Sequence, residues 1–190
     1  MILESVVTTL SENGELNIAP MGPEFDPNQD HFELRPFEDS QTYKNLMATS
    51  AGVLHVTDNV LLIASSAINQ MEDVWQSEAA SKVAGRVLLD CCRWYEFSCS
   101  EKPSSSTRKS FHCQIVAGGR RRDFFGFNRA KHAILEATIA VTRIQFLPPE
   151  HVQEKLTLAV DVCERTGGKD ESAALELLRE HVQARLGDNF

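Results

Sequence analysis

Two short signatures between Asn17 and Leu46 hold the residues of this chain best suited to binding a ligand. The first is Asn17-Ile18-Ala19-Pro20-Met21-Gly22; the second is Leu34-Arg35-Pro36-Phe37, followed by Ser40-Gln41-Thr42-Tyr43-Lys44-Asn45-Leu46. Each falls where a strand pattern meets a turn or a helix start. Pro20 cannot donate to a strand ladder, so nearby backbone groups stay open to a ligand's polar edge, and Gly22 lets the backbone come close. Arg35 can grip a phosphate through two parallel hydrogen bonds, or it can form a surface ion pair with Glu33 or Glu38. Ser40, Thr42 and the amides of the helical turn they begin offer an anion site, because free N–H groups and the helix dipole point there. The competing reading of these residues is simple helix capping. Asn45 shares a face with Thr42, where it can reach a phosphate, sugar-alcohol hydroxyls or a loop that it ties down. The set suits an anionic ligand with a flat ring, and a flavin mononucleotide (FMN) has that form.

Other chemistries find little support. The six histidines lack metal-ligand spacing, and no H-E-x-x-H occurs, so no metal is expected. His112 and Cys113 are neighbours in a strand pattern and would point to opposite faces, which excludes a catalytic pair. There is no P-loop, nucleophile elbow or G-x-G-x-x-G. A nicotinamide would therefore bind transiently over another group, without a Rossmann domain. The net charge of −8 argues against nucleic acid or an anionic membrane as partner. Five cysteines, an odd number without C-x-x-C, fit a reducing compartment better than a disulfide framework. With no secretory pattern ahead of the first strand and no apolar run of membrane-spanning length, a cytoplasmic location is expected.

The elements that must position the signatures follow from periodicity. Ser5–Leu10 is rich in β-branched residues and runs into Asn13-Gly14, a hairpin signal, with residues 15–25 as the returning strand. His31–Phe37 is a third strand with Phe32, Leu34 and Pro36 on one face. Asp39 or Ser40 caps a helix to about Thr49. Ala51–Thr57 is a fourth strand, and Asp58 or Asn59 caps a second helix to about Asn69. Residues 71–85 read as an irregular or partly helical connection. Residues 86–100 and 110–117 form a last hairpin around the polar, mobile loop 101–109. Beyond Gly118-Gly119 the period changes from two to 3.6. Ala130, Ala133, Ile134, Ala137, Val141 and Ile144 make one helical stripe, ended by Pro148-Pro149. Two more helices follow, parted by Gly167-Gly168, the last capped by Asp170. Arg129, Glu136 and Arg143 share a face of the first tail helix; a solvated stripe is the plainer reading, and a reach of Arg129 into a ligand groove is the other. Arg120-Arg121-Arg122 reads as a solvated hairpin end. Strands first and helices last argue for an α+β fold: about six antiparallel strands in residues 1–119, then a three-helix unit in 120–190.

With these elements in place, the chain resembles the FMN-binding split barrels of the flavin-reductase-like superfamily. The resemblance rests on the Asn-Gly hairpin, Asn-x-Ala-Pro-x-Gly, and Arg35 followed by Ser40-x-Thr42-x-x-Asn45. It is closer to an archaeal and bacterial branch that pairs Leu-Arg-Pro-Phe and Thr-Tyr-x-Asn-Leu with a helical tail. Here that tail opens on Phe127-Asn128-Arg129-Ala130, with Thr142-Arg143 and Thr166-Gly167-Gly168 as later marks. His55 stands where the resemblance leads one to expect a residue such as Asn. The resemblance implies a split β-barrel and a homodimer with the flavin in a groove at the subunit interface. It implies that Asn17, Ala19, Pro20, Met21 and Gly22 line the ring, that Arg35, Ser40, Thr42 and Asn45 hold phosphate and side chain, and that Asn128 and Arg129 reach in from the tail. It implies a flavoprotein oxidoreductase passing hydride or electrons to a small molecule. The branch's association with methanopterin-linked one-carbon chemistry suggests a pterin-linked substrate. The alternative is a non-catalytic FMN-binding or storage protein.

Overall fold

A computed structural model of the chain describes residues 1–70, 75–103 and 108–187. Residues 71–74, from the segment read as irregular, and 104–107, from the loop read as mobile, lie outside the described residues. Two compact units emerge: residues 1–57 with 75–124, and residues 58–70 with 125–187, within the wider limits of each unit.

The first unit is built on one antiparallel sheet. Its strands are β1 (Ser5–Leu10), β2 (Leu16–Met21), β3 (Glu24–Phe25), β4 (His31–Leu34), β5 (Ala51–Val56), β8 (Arg93–Lys102) and β9 (Ser110–Arg120), in the order β2-β1-β5-β8-β9-β4-β3. The returning strand read as residues 15–25 breaks in two at Gly22-Pro23, so β2 stays beside β1 while β3 moves to the far edge beside β4. The sheet curls. The residues ahead of β1 hydrogen-bond to that far edge, with Leu3 donating to the Pro23 carbonyl at 3.1 Å and Phe25 to the Met1 carbonyl at 2.8 Å. This is a split barrel. Its interior is filled by Val7, Phe25, Phe32, Leu34, Leu54, Phe97, Phe111 and Cys113, with Leu46 contributed by α1 (Gln41–Thr49). Gly52 is required here: a Cβ would stand 2.7 Å from the Phe97 ring and 2.9 Å from the Thr8 carbonyl.

The segment 71–85, expected to be irregular or partly helical, instead contains β6 (Ser77–Ala79), which pairs with β7 (Arg86–Leu88) in a small second sheet. Three buried polar contacts hold it. His55, fully buried, receives the Leu88 amide on Nε2 at 3.0 Å, while its Nδ1 lies 3.2 Å from the Val6 carbonyl. The ring is therefore neutral, with the proton on Nδ1. Glu96 accepts from the Ser81 amide and hydroxyl at 2.9 Å and from the Lys82 amide at 2.6 Å. Thr8 donates to the Arg86 carbonyl at 2.6 Å. Tertiary hydrogen bonds thus shape a stretch whose local pattern is mute.

The second unit consists of α2 (Val60–Ala67), α3 (Arg129–Thr142), α4 (Pro149–Thr166) and α5 (Lys169–Leu186). The three C-terminal helices form as their periodicity requires, and α2 joins them as a fourth. Val60, Ala64, Ile134, Ala137, Val152, Leu156, Ala159, Ala174 and Leu178 form one apolar interior. α3 closes at Arg143, before Pro148-Pro149, and α5 is capped by Gly168 instead of Asp170. Glu171 explains the latter: its carboxylate accepts from the Gly168 amide at 2.8 Å, so the helix begins two residues earlier.

Candidate functional site

β2 is an edge of the sheet, so Pro20 lies where proline costs no ladder bond, and among the described residues the outer side of Asn17–Met21 has no strand neighbour. Ala19 and Pro20 pair inward with Val7 and Val6. The Met21 carbonyl accepts from the Ser5 hydroxyl at 2.7 Å, fixing the end of the strand just before Gly22, where Ile2 approaches a would-be Cβ at 3.1 Å.

The two signatures meet through a buried polar cluster. Asn17 Nδ2 donates to Thr42 Oγ1 at 3.2 Å and to Thr9 Oγ1 at 3.3 Å. Asn45 Nδ2 donates to the same Thr9 hydroxyl at 3.0 Å, and Gln41 Nε2 donates to Asn45 Oδ1 at 2.7 Å. Thr9, Thr42 and Asn45 are buried. Such a network is stabilising only if complete, and no described buried side-chain polar atom lacks a partner. Its effect is mechanical: it holds α1 against the β2 edge.

Ser40 is the N-cap of α1, accepting from the Tyr43 amide at 3.2 Å and donating to the Phe37 carbonyl at 2.7 Å. The first turn holds no acidic residue, although Glu38 and Asp39 stand just ahead of the cap. Cations gather beside it from the start of β9. Arg108 bridges to Phe37 and stacks its guanidinium 4.4 Å above that ring, and the Lys109 amide donates to the Pro36 carbonyl at 3.0 Å. Lys109 also pairs with Glu38 at 3.3 Å. Arg108 and Lys109 were not singled out in the sequence. They lie at the end of a Ser/Thr-rich loop, and only the pairing of β9 with β4 brings them to Phe37 and Ser40.

Arg35 is half exposed and forms ion pairs with Glu24 at 2.9 Å and Glu33 at 3.5 Å. Glu24 and Glu33 are directly opposed across β3 and β4, an arrangement that repels unless bridged. Arg35 bridges it, and the Lys102 ammonium, ahead of Arg35, holds the Glu33 carboxyl below its ordinary range. Asn128 and Arg129 belong to the helical unit. Asn128 caps α3, accepting from the Lys131 amide at 3.1 Å and donating to the Thr166 carbonyl at 2.9 Å; Arg129 is exposed in the first turn. Glu136, on the same stripe, pairs with Lys155 at 3.1 Å, and Arg143 is the C-cap. The Arg120–Arg122 run is ion-paired to Asp123, Glu78 and Asp90.

Among the described residues no cluster of His, Cys, Asp or Glu could hold a metal, and no helix is long and apolar enough to cross a membrane. The arrangement offers an unpaired strand edge next to a helix N-terminus flanked by cations: chemistry for a ligand with a polar-edged face and an anionic end.

Residues 3–122 match the family model "Protein of unknown function (DUF447) N-terminal domain", and residues 128–180 match "Protein of unknown function (DUF447)". The chain belongs to the DUF447 family. The two DUF447 segments adjoin at the stretch where the sheet pattern gives way to the helical one. Among solved structures, an FMN-bound DUF447 protein from Methanosarcina mazei is similar over 95% of this chain and 94% of its own, with a TM-score of 0.80 at 22% identity. An FMN-binding protein from Thermus thermophilus, solved with 1-cyclohex-2-enone bound, covers 63% of this chain and 70% of its own, with a TM-score of 0.54 at 13% identity. A flavin reductase domain protein from Arthrobacter covers 64% and 79%, with a TM-score of 0.53 at 15% identity. At these identities the likeness is one of fold. No curated protein matches the chain.

Proposed function

We propose that this DUF447 chain is an FMN-binding flavoprotein that passes hydride or electrons to a small-molecule substrate. The observation that carries the reading is the bonding of Asn17 to Thr42, which joins a free strand edge to a helix N-terminus beside Arg108 and Lys109. FMN needs both: polar backbone groups for its ring and an anion site for its phosphate. The residues present fit. The outer edge of Asn17–Gly22, with Ala19, Pro20 and Met21 between, would line the ring. Ser40 and the first-turn amides of α1 would receive the phosphate, with Arg35 and Arg108 supplying charge. Thr42 and Asn45 would act from beneath, by holding the helix in place. The FMN-bound relative, similar along nearly the whole chain, supports the same reading. A second copy of the chain would complete the groove as a homodimer.

Bound FMN would supply the redox chemistry, accepting a hydride and giving electrons onward in steps of one or two. The protein's part is orientation, exclusion of water and a positive environment at the anionic end. A second reading, an FMN carrier without turnover, gains from one observation: the cluster's buried side chains are bonded to one another, and none is poised as an acid or base. The substrate, pterin-linked or otherwise, belongs to the oxidoreductase reading alone.

Titration of flavin-free protein with FMN, followed by absorbance and fluorescence quenching, tests the cradle. Arg35→Ala and Arg108→Ala should each weaken binding about tenfold or more, since a charge-assisted contact contributes about 1.5–3 kcal/mol. Unchanged affinity in both folded variants would remove the phosphate assignment. Reduction of the bound flavin by NAD(P)H with no acceptor able to reoxidise it at a useful rate would favour the carrier.

A further inference from the structure

Cys99 and Cys113 are directly opposed on the neighbouring strands β8 and β9. The ladder decides how close they come. The Cys99 amide donates to the Ser50 carbonyl at 2.8 Å, away from β9. Two residues beyond Cys113, and so on the same side of its strand, the Ile115 amide donates to the Asp30 carbonyl at 2.7 Å, away from β8. The pair therefore occupies a non-hydrogen-bonded site, where opposed Cα atoms lie about 4.5 Å apart and side chains are nearest. That spacing is within the range a disulfide spans, roughly 4.4–6.8 Å. Both side chains point to the inner face of the sheet, with Phe97 and Phe111 two residues before them. Cys113 is fully buried and Cys99 is partly exposed; both are free thiols.

We propose that Cys99 and Cys113 form a dithiol that hydrogen peroxide oxidises to a disulfide across β8 and β9. The Cys99 thiolate attacks one peroxide oxygen; the O–O bond breaks, Cys99 becomes a sulfenic acid, and the departing hydroxide takes up the proton that Cys99 lost. The Cys113 sulfur then attacks Cys99 Sγ, the S–O bond breaks, and water leaves with the Cys113 proton. Two thiols and one peroxide give one disulfide and two waters. The division of roles follows from the surroundings. Interaction with the facing Cys113 thiol lowers the Cys99 pKa, whereas burial, and then the interaction with Cys99, push Cys113 far up. Cys99 is both the more ionised and the more accessible, as an attacking thiol must be. The other cysteines lack this arrangement: burial pushes Cys91 up to about 11, and Cys163 lies on α4 in the helical unit.

The test uses the reduced full chain, with and without FMN, exposed to hydrogen peroxide, quenched with an alkylating agent and mapped by peptide mass spectrometry. Two of the five thiols should escape alkylation, with a Cys99–Cys113 linked peptide that dithiothreitol dissolves. In Cys113→Ser the reaction should stop at a Cys99 sulfenic acid, trapped by dimedone. Full alkylation of all cysteines after peroxide, or a link joining any other pair, overturns the proposal. So does a Cys113→Ser variant whose Cys99 takes up no dimedone. Should the variant not fold, the wild-type map alone decides.

Discussion

The two units bury polar side chains for different purposes. In the helical unit the buried hydroxyls bond within their own helix: Ser65 to the Leu62 carbonyl, Ser66 to that of Ile63, Thr138 to that of Ile134. They answer a local acceptor and leave the fold to apolar packing. In the sheet unit the partners are distant in sequence. Thr8 reaches Arg86, His55 joins Val6 to Leu88, Asn45 reaches Thr9, and Glu96 gathers the amides of Ser81 and Lys82. Only that kind of bond can fix a strand edge against a helix end, and the candidate ligand cradle lies in the unit that has it. The helical unit is held chiefly by volume, with the bonds of Asn128 to Thr166 and of Lys131 to Asp58 as long-range polar ties; the sheet unit is held by volume and by a buried set of addressed hydrogen bonds.

The contrast can be broken most forcefully from the apolar side. Leu178 is fully buried in the helical interior, and Leu178→Ala should cost about 2–5 kcal/mol through lost burial and the cavity left behind. Denaturant unfolding of the variant measures it, and a cost under about 1 kcal/mol would mean that this unit is not packed as described.

Acid should strike the sheet unit. Burial, opposed only by the Val6 carbonyl, pulls the His55 pKa down to about 4 from its ordinary 6.5. Between those values the unfolded chain binds a proton that the folded chain refuses, so stability falls as pH drops from 6.5 towards 4. The loss attributable to His55 approaches about 3 kcal/mol at the lower end. Unfolding curves at pH 7 and 4.5 should separate further for wild type than for His55→Gln. Equal separations would show that the ring is not held neutral. Glu96 works in the same direction: burial alone would raise its pKa, but the Ser81 and Lys82 amides hold it below the ordinary carboxylate range.

The smallest effect sharpens the comparison most directly. Asn45→Ala deprives two partners in a buried network and should cost about 1–3 kcal/mol, whereas Ser66→Ala removes a bond within one turn and should cost less than about 1 kcal/mol. Equal costs, from paired urea titrations, would erase the distinction between addressed and local polar groups.

Much of the architecture was legible because it is periodic. Buried Phe32, Leu34 and Pro36 alternate as the strand pattern requires, Ser40 and Asn59 cap the helices expected of them, and the tail's stripes pack inward. Residues 77–88 were not legible as a hairpin. Their strands are short and exposed in part, and what holds them is Thr8, His55 and Glu96, residues far off in the chain. The partners of Arg35 were legible only in part. A pairing with Glu33 could be weighed from proximity in sequence, but Glu24 is brought opposite by the break at Gly22-Pro23.

By itself the sequence determined the α+β class, the element order, the two signatures and the helical stripes, because propensity, capping and apolar period are local properties. Only the tertiary structure decided that Asn17 meets Thr42, that Arg108 lies over Phe37 beside the α1 terminus, and that Cys99 faces Cys113. Each is a meeting set by strand order and register, and register is fixed by the burial of one whole face of the sheet, not by the two residues that meet.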